Sequence, residues 1–306
     1  MNDNQNILLN AALLEALATL GDSAAAEHVD ALRAIFSVET QACFQVVREV
    51  TGFEMGADLK EPFLKFHQYV TDPQPDFITR LRNNENKADY WYHQLVNGIL
   101  GNVQQSFLCV LYHQDRLLDV EAELMRRLAS LGGIPAASKN STLGIGGTHI
   151  LDFEYQAYVM AYRRCLDQLS TAISAFFKER ISSFRTLPKK LARKRPSEVV
   201  KAITDIHSKH ISKFEFVMSE GGAPSIRDRI AHFEFVPAGT LNVRADGAIL
   251  VGGGENLNSD QSSSAETKEL AKTVSNKTAA LHSCIADILN GFIQSVATWE
   301  HQTKKE

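Results

Sequence analysis

SIRDRIAH, residues 225–232, is the stretch on which the reading of this chain turns. Ser225 followed three residues later by Asp228 has capping-box spacing, so a helix is expected to start at Ile226. In that role Asp228 serves backbone N–H groups and complements the helix dipole. On the same helix Asp228 and His232 stand four apart on one face, which allows the carboxylate to orient the imidazole instead. Arg227 and His232 are five apart, about 140° around a helix that turns ~100° per residue. They do not share a face. A site that uses both forms more naturally where two copies of the helix meet than within one.

Outward from this stretch, most of the 306 residues carry helical periodicity. Residues 151–184 repeat apolar side chains from Tyr155 through Tyr162, Leu166 and Ile173 to Ile181. Residues 196–218 open on Pro196, suited to a first turn, and continue through Val199, Ile203 and Phe214. Residues 265–301 run from Leu270 through Leu281, Ile288 and Phe292 to Trp299. Upstream, residues 6–20 and 23–50 read as helices, the second with a stripe through Cys43, Val46/Val47 and Val50. Residues 88–131 read as one long helix bent near Gly101, ending at Gly132-Gly133 with Pro135 beyond. The strongest β signal is "GTLNVRADGAILVGGG", two apolar runs joined through Asp246-Gly247, a hairpin at about 239–252. The fold class expected is therefore all-α with a small inserted hairpin. A Gly/Ser-rich stretch at 136–150 is expected to be a linker between an N-terminal helical region, 1–135, and a C-terminal bundle, 151–301.

Composition excludes several classes of function. A formal net charge of −4 rules out a uniformly basic nucleic-acid coat, so any attraction for phosphate must come from a local patch. Cys43, Cys109, Cys165 and Cys284 lie far apart with no C-x-x-C pair, which fits reduced thiols and argues against a disulfide framework or a zinc site. No basic leader precedes an apolar run, and no run approaches membrane-spanning length, so a soluble cytoplasmic protein without membrane contact is expected.

Few segments carry chemistry. "LGIGGTH" at 143–149 lacks the Gly-Lys-Ser/Thr end of a phosphate loop and reads as flexible connection. Tyr90-Trp91-Tyr92-His93 has the composition of a base-stacking group, but at helical spacing it reads as core. His207 and His210 have no evident third metal ligand, and no cofactor motif occurs anywhere. Residues 177–196 stand out. They hold Lys178, Arg180, Arg185, Lys189, Lys190, Arg193, Lys194 and Arg195 against one acid, Glu179. Two readings are open for this segment: a solvated helix end and loop, or an electrostatic footprint for RNA.

Arg227-Asp228-x-x-x-His232 resembles the R-x4–6-H motif of HEPN domains, in which the residue after the arginine is typically Asn, Asp or His. The resemblance covers roughly residues 150–301: a long helix with "YRRCLDQLSTAISAFF", a second long helix, the motif on a short element, and a long closing helix. It implies a metal-independent endoribonuclease with paired motifs at a homodimer interface, found in toxins and antiviral effectors. It also implies that Arg227, Asp228 and His232 are catalytic, with an antitoxin or other regulatory protein as a partner, and residues 1–135 are expected to control activation or bind a partner. The expected RNA contacts are Arg229 and the eight basic residues of 178–195. The chemistry suits these residue types. RNA supplies its own 2′-OH nucleophile, a histidine can move the proton, and an always-charged arginine stabilises the phosphorane-like transition state. Some toxins of the family continue as His-x-Tyr, whereas here Phe233-Glu234 follows His232, so the tyrosine that a nucleotidyltransferase antitoxin modifies is absent. Other family members lack catalysis and serve as scaffolds for dimerisation or for partner or nucleotide binding, the rival reading for this chain.

Overall fold

A computed structural model of the protein describes residues 38–71, 75–82, 88–131, 143–145, 147–218, 224–232, 235–243, 249–253 and 270–304. The chain divides into two compact units, 1–54 and 55–306. In the first, α1 (Val38–Thr51) carries the expected spacing of Cys43, Val46, Val47 and Val50, all of them exposed. The helix expected at 6–20 and the start of that at 23–50 lie outside the described residues.

The second unit is mainly helical. Its elements are α2 (Ala57–Thr71), α3 (Asp76–Arg82), α4 (Ala88–Asn97), a π-helical segment (Gly98–Val103) and α5 (Gln104–Ser130). After these come α6 (His149–Ala175), α7 (Leu187–Leu191), α8 (Ser197–His210), α9 (Ile226–His232) and α10 (Leu270–Thr303). α6 packs against α4, the π segment, α5 and α9, while α10 packs against α2, α5 and α8.

The seam between α6 and α10 is apolar with its polar tips satisfied. Tyr158 and Tyr162 are fully buried. The Tyr158 hydroxyl reaches the Val274 carbonyl at 3.2 Å and Thr278 Oγ1 at 3.0 Å, and the Tyr162 hydroxyl donates to the Lys277 carbonyl at 2.9 Å. Each ring thus buries a large area without orphaning its oxygen. At the far end of the seam Phe77, Phe176 and Phe292 meet edge to face. There the buried Glu300 accepts from the Phe77 amide at 2.6 Å and the Asp76 amide at 3.2 Å, capping α3 from a distant helix.

The boundary expected at 136–150 falls elsewhere. α4, the π segment and α5 pack along α6, so these helices share one core with the C-terminal part, and the division into compact units falls between residues 54 and 55. Within the stretch expected to be linker, β1 (Leu143–Ile145) pairs antiparallel with β2 (Gly239–Val243). β2 pairs in turn with β3 (Ile249–Gly253), giving the sheet order β1-β2-β3. The Asp246-Gly247 turn lies outside the described residues. The helix expected over 151–184 ends at Ala175. Beyond it Lys178 takes a left-handed backbone, φ 55°, and the Ser174 hydroxyl accepts from the Ile181 amide at 3.0 Å. The chain turns back there while Ile181 and Phe184 stay buried.

Gly101, near which a bend is expected, lies within the π segment. A Cβ on Gly98 would lie 2.9 Å from the Ala172 Cβ, so a hydrogen at that position lets this segment approach α6 closely.

Candidate functional site

α9 begins at Ile226, which is buried and whose amide donates to the Phe216 carbonyl at 2.9 Å. The capping pair is formed: Ser225 Oγ accepts from the Asp228 amide at 3.1 Å and donates to Asp228 Oδ2 at 2.8 Å. Arg227 Nη1 donates to Asp228 Oδ1 at 2.8 Å. Burial alone would push the Asp228 carboxyl up, but the hydrogen bonds from Arg227 and Ser225 outweigh it and hold it below the usual carboxylate value. Both oxygens of Asp228 are thus engaged at the start of the helix.

Arg227 borders a cavity of about 610 Å³ walled by α6 and by the π segment and first turns of α5. Arg163, Arg164 and Gln168 project into it from α6, and Asn102 and Gln105 from the opposite wall. Arg163 is fixed by Asp167 Oδ2 at 2.8 Å and by the Val217 carbonyl at 2.9 Å. Arg227 is held in the same manner by Asp228, yet its Nε is buried and finds no hydrogen-bond partner among the described residues. The result is a partly exposed, oriented guanidinium beside two further arginines, an arrangement suited to an anionic oxygen or phosphate. π-helical turns recur at functional sites because the extra residue redirects side chains, and here one supplies Asn102.

His232 is the last residue of α9 and is exposed; Arg229 on the same helix is half-buried. An exposed apolar cluster includes Phe235, three residues beyond His232 in sequence. Phe153 and Phe235, 60% and 52% exposed, meet edge to face with centroids 6.2 Å apart, and Ile150 and Met160 continue the face along α6.

The basic side chains of 178–195 do not line this cavity. Lys178 sits just past the end of α6, Arg180 and Arg185 are exposed on the returning chain, and Lys189 and Lys190 are exposed on α7. Arg193 and Arg195 are exposed before α8, and Lys194 is bonded to Glu179. From Arg163 to Ala175, α6 rises about 18 Å at ~1.5 Å per residue. The chain then turns back along α6, and the Phe184 amide donates to Asp167 Oδ1 at 3.2 Å on the wall of the Arg227 cavity. Arg185 thus follows a residue at its edge, although none of the eight basic side chains lines it.

The aromatic group at 90–93 is not core. Tyr90 is exposed and Trp91 and Tyr92 are half-buried, paired with neighbours on their own helix, while Leu95, Val96 and Ile99 fill the interior. His207 and His210 are both buried, on different partners: His207 Nε2 lies 3.0 Å from the Phe184 carbonyl and His210 Nε2 lies 2.8 Å from Asp287. Among the described residues no group of three or more His, Cys, Asp or Glu is placed to hold a metal ion, and no helix is long and apolar enough to cross a membrane. All four cysteines are free. Arg163, Arg164 and Asn102 were not anticipated as site residues. The adjacent arginines in "YRRCL" are a signal that could have pointed to Arg163 and Arg164; no local signal marks Asn102. The chain matches none of the protein-family models, curated proteins or solved structures with which it was compared.

Proposed function

We propose that the protein is a metal-independent endoribonuclease of HEPN type whose site forms where two copies of α9 meet. The observation that carries this reading is the Arg227 guanidinium, oriented by Asp228 and turned toward a cavity that also holds Arg163 and Arg164. The exposed cluster of Ile150, Phe153 and Phe235, the last of them three residues beyond His232 in sequence, supports a second copy docking on this part of the molecule. In the proposed reaction the RNA 2′-oxygen attacks the adjacent phosphorus as one His232 takes its proton. Arg227 stabilises the charge on the phosphoryl oxygens, and the bond to the 5′-oxygen breaks as the other copy's His232 returns a proton. The products are a 2′,3′-cyclic phosphate and a 5′-OH. Asp228 orients Arg227 in this scheme. A four-helix HEPN-like bundle corresponds to α6, α8, α9 and α10, and the protein's place as a toxin or antiviral effector, with an antitoxin or regulatory partner, follows the same proposal.

One observation favours the non-catalytic scaffold as a second reading: Ser225, Asp228 and Arg227 form a closed network that a helix start uses on its own account. Labelled single-stranded RNA incubated with the purified protein in EDTA separates the two. The nuclease yields cyclic-phosphate ends, and His232→Ala, whose side chain is exposed, lowers the rate by roughly 100-fold or more without changing the melting temperature. Equal cleavage by wild type and His232→Ala overturns the proposal.

A further inference from the structure

The basic segment and the C-terminal end of α10 enclose a second cavity, of about 870 Å³. That volume lies within the range of roughly 300–1,000 Å³ usual for small-molecule sites. It begins at Phe176, just past the end of α6, and so lies about 18 Å along that helix, at ~1.5 Å per residue, from Arg163 on the wall of the Arg227 cavity.

One part of its lining is aromatic. Phe176 meets Phe77 with ring centroids 5.3 Å apart and Trp299 with centroids 6.0 Å apart, both edge to face. Phe77 and Phe176 are buried, and Trp299 is partly exposed. The rest carries four basic side chains, Lys178, Arg193, Lys194 and Arg195, against one acid, Glu198 on the first turn of α8, so its charge is net positive. Lys178, Arg193 and Arg195 border the cavity and have no acidic partner among the described residues, whereas Lys194 is already bonded to Glu179. The first turn of α8 opens onto the same space through Ser197. Its N-cap is Pro196, which provides no side-chain cap, so the helix dipole and first-turn amides there remain available to an anion. A simple anion has no use for the aromatic wall, and an uncharged apolar ligand has none for the cations. An aromatic ring that carries phosphate uses both, stacking on Trp299 while its phosphate meets the guanidiniums and the helix start.

We propose that this cavity binds a nucleoside phosphate, the base against Trp299 and the phosphate between Arg193, Arg195 and the first turn of α8. The group is either a free nucleotide or the phosphorylated end of an RNA strand. Trp91→Phe leaves Trp299 as the sole tryptophan of the chain, since there are two. ATP is expected to quench Trp299 fluorescence saturably in that variant, and calorimetry on the wild type gives an affinity free of any effect of the substitution. Adenosine and inorganic phosphate should each bind at least about tenfold more weakly, because each lacks one half of the recognition. Replacing the exposed pair, Arg193→Gln with Arg195→Gln, should weaken ATP binding by about tenfold or more. A 5′-phosphorylated oligonucleotide forms the second arm: tighter binding than ATP assigns a strand end, and weaker binding assigns a free nucleotide. Absence of saturable binding by either probe overturns the proposal. So does inorganic phosphate binding as tightly as ATP, or the double variant binding ATP as the wild type does. Binding is read without RNA cleavage, so the result stands apart from that of the His232→Ala assay.

Discussion

The two arginine-bearing cavities differ in what holds their cations. Beside α9, Arg227 and Arg163 are each bonded to a carboxylate of their own helix at 2.8 Å, and the carboxylates are themselves placed: Asp228 by Ser225, Asp167 by the Phe184 amide at 3.2 Å. At the other end of α6, Arg193 and Arg195 are exposed and without acidic partners among the described residues. A guanidinium fixed in this way has already lost its rotamer freedom, so it can favour one position of charge over another. An unfixed one contributes mainly to an attractive field, which salt screens. Density of basic residues in the sequence therefore marks a surface suited to capturing an anion, while the position suited to chemistry is marked by an arginine with its own carboxylate.

Changing the fixed arginine breaks the comparison most directly. Arg227→Lys keeps the charge and loses the planar fork, and the proposed cleavage should fall about 100-fold or more, the usual worth of one transition-state donor. ATP binding at the other cavity should be unchanged. Cleavage within about threefold of wild type would mean that charge alone suffices at this position and that its fixed geometry is irrelevant.

Glu300 tests the other cavity through its aromatic wall. Its carboxylate is buried and takes the amides of Phe77 and Asp76, a charge-assisted pair worth roughly 1.5–3 kcal/mol per bond at most. Glu300→Ala should destabilise the protein to urea by about 2 kcal/mol and weaken nucleotide binding, while leaving a low-temperature cleavage rate near that of wild type. A stability loss below about 0.5 kcal/mol would show that solvent replaces the cap.

The cap of α9 is a smaller matter. Asp228→Ala removes partners of both Ser225 and Arg227 and should cost about 1 kcal/mol, as helix caps do. The contribution of the carboxylate has a defined pH window. Its folded value is depressed, so its stabilisation is fully present above the unfolded value and is lost as pH falls through the folded one. Asp228→Asn keeps a hydrogen-bonding oxygen and separates the cap from the orientation of Arg227. Under the proposal it restores stability more than it restores cleavage.

Much of the helical core was legible because apolar side chains must leave water together. Leu166, Ile173, Ile288 and Phe292 keep helical spacing and are all buried. The start of α9 was legible because capping is local chemistry between Ser225 and Asp228. The end of α6 was not. Apolar spacing runs on through Phe177 to Ile181 because Ile181 is buried, but it is buried from a turned chain held by Ser174, and periodicity reports burial rather than helix. The domain boundary was misplaced for a related reason. A Gly/Ser-rich stretch identifies a loop, yet α5 and α6 on either side of it pack against each other, which no local signal records. The cavity of Arg227 depends on Asn102 and Arg163 meeting α9 across three segments, and such meetings follow from packing angles that spacing along one helix does not contain.

The smallest expected effect concerns His207, which anchors the chain between the two cavities. It is 5% exposed, stacks near Phe184 and holds that residue's carbonyl at 3.0 Å. Burial lowers its pKa from the ordinary 6.5, and the bond to Phe184 offsets this only in part. The folded chain thus keeps this imidazole neutral where the unfolded chain has begun to take a proton. Its contribution is complete above 6.5 and is lost as pH falls from there through the folded value. His207→Gln retains an N–H for the Phe184 carbonyl and cannot titrate. Urea midpoints compared at about pH 7.5 and about pH 5.5 should fall less in this variant than in wild type. His282, also lowered by burial, is present in both proteins and cancels from the difference. An equal fall in the two proteins would place the acid sensitivity of this unit at His282 or the carboxylates, and would leave the anchoring of the chain at Phe184 indifferent to pH.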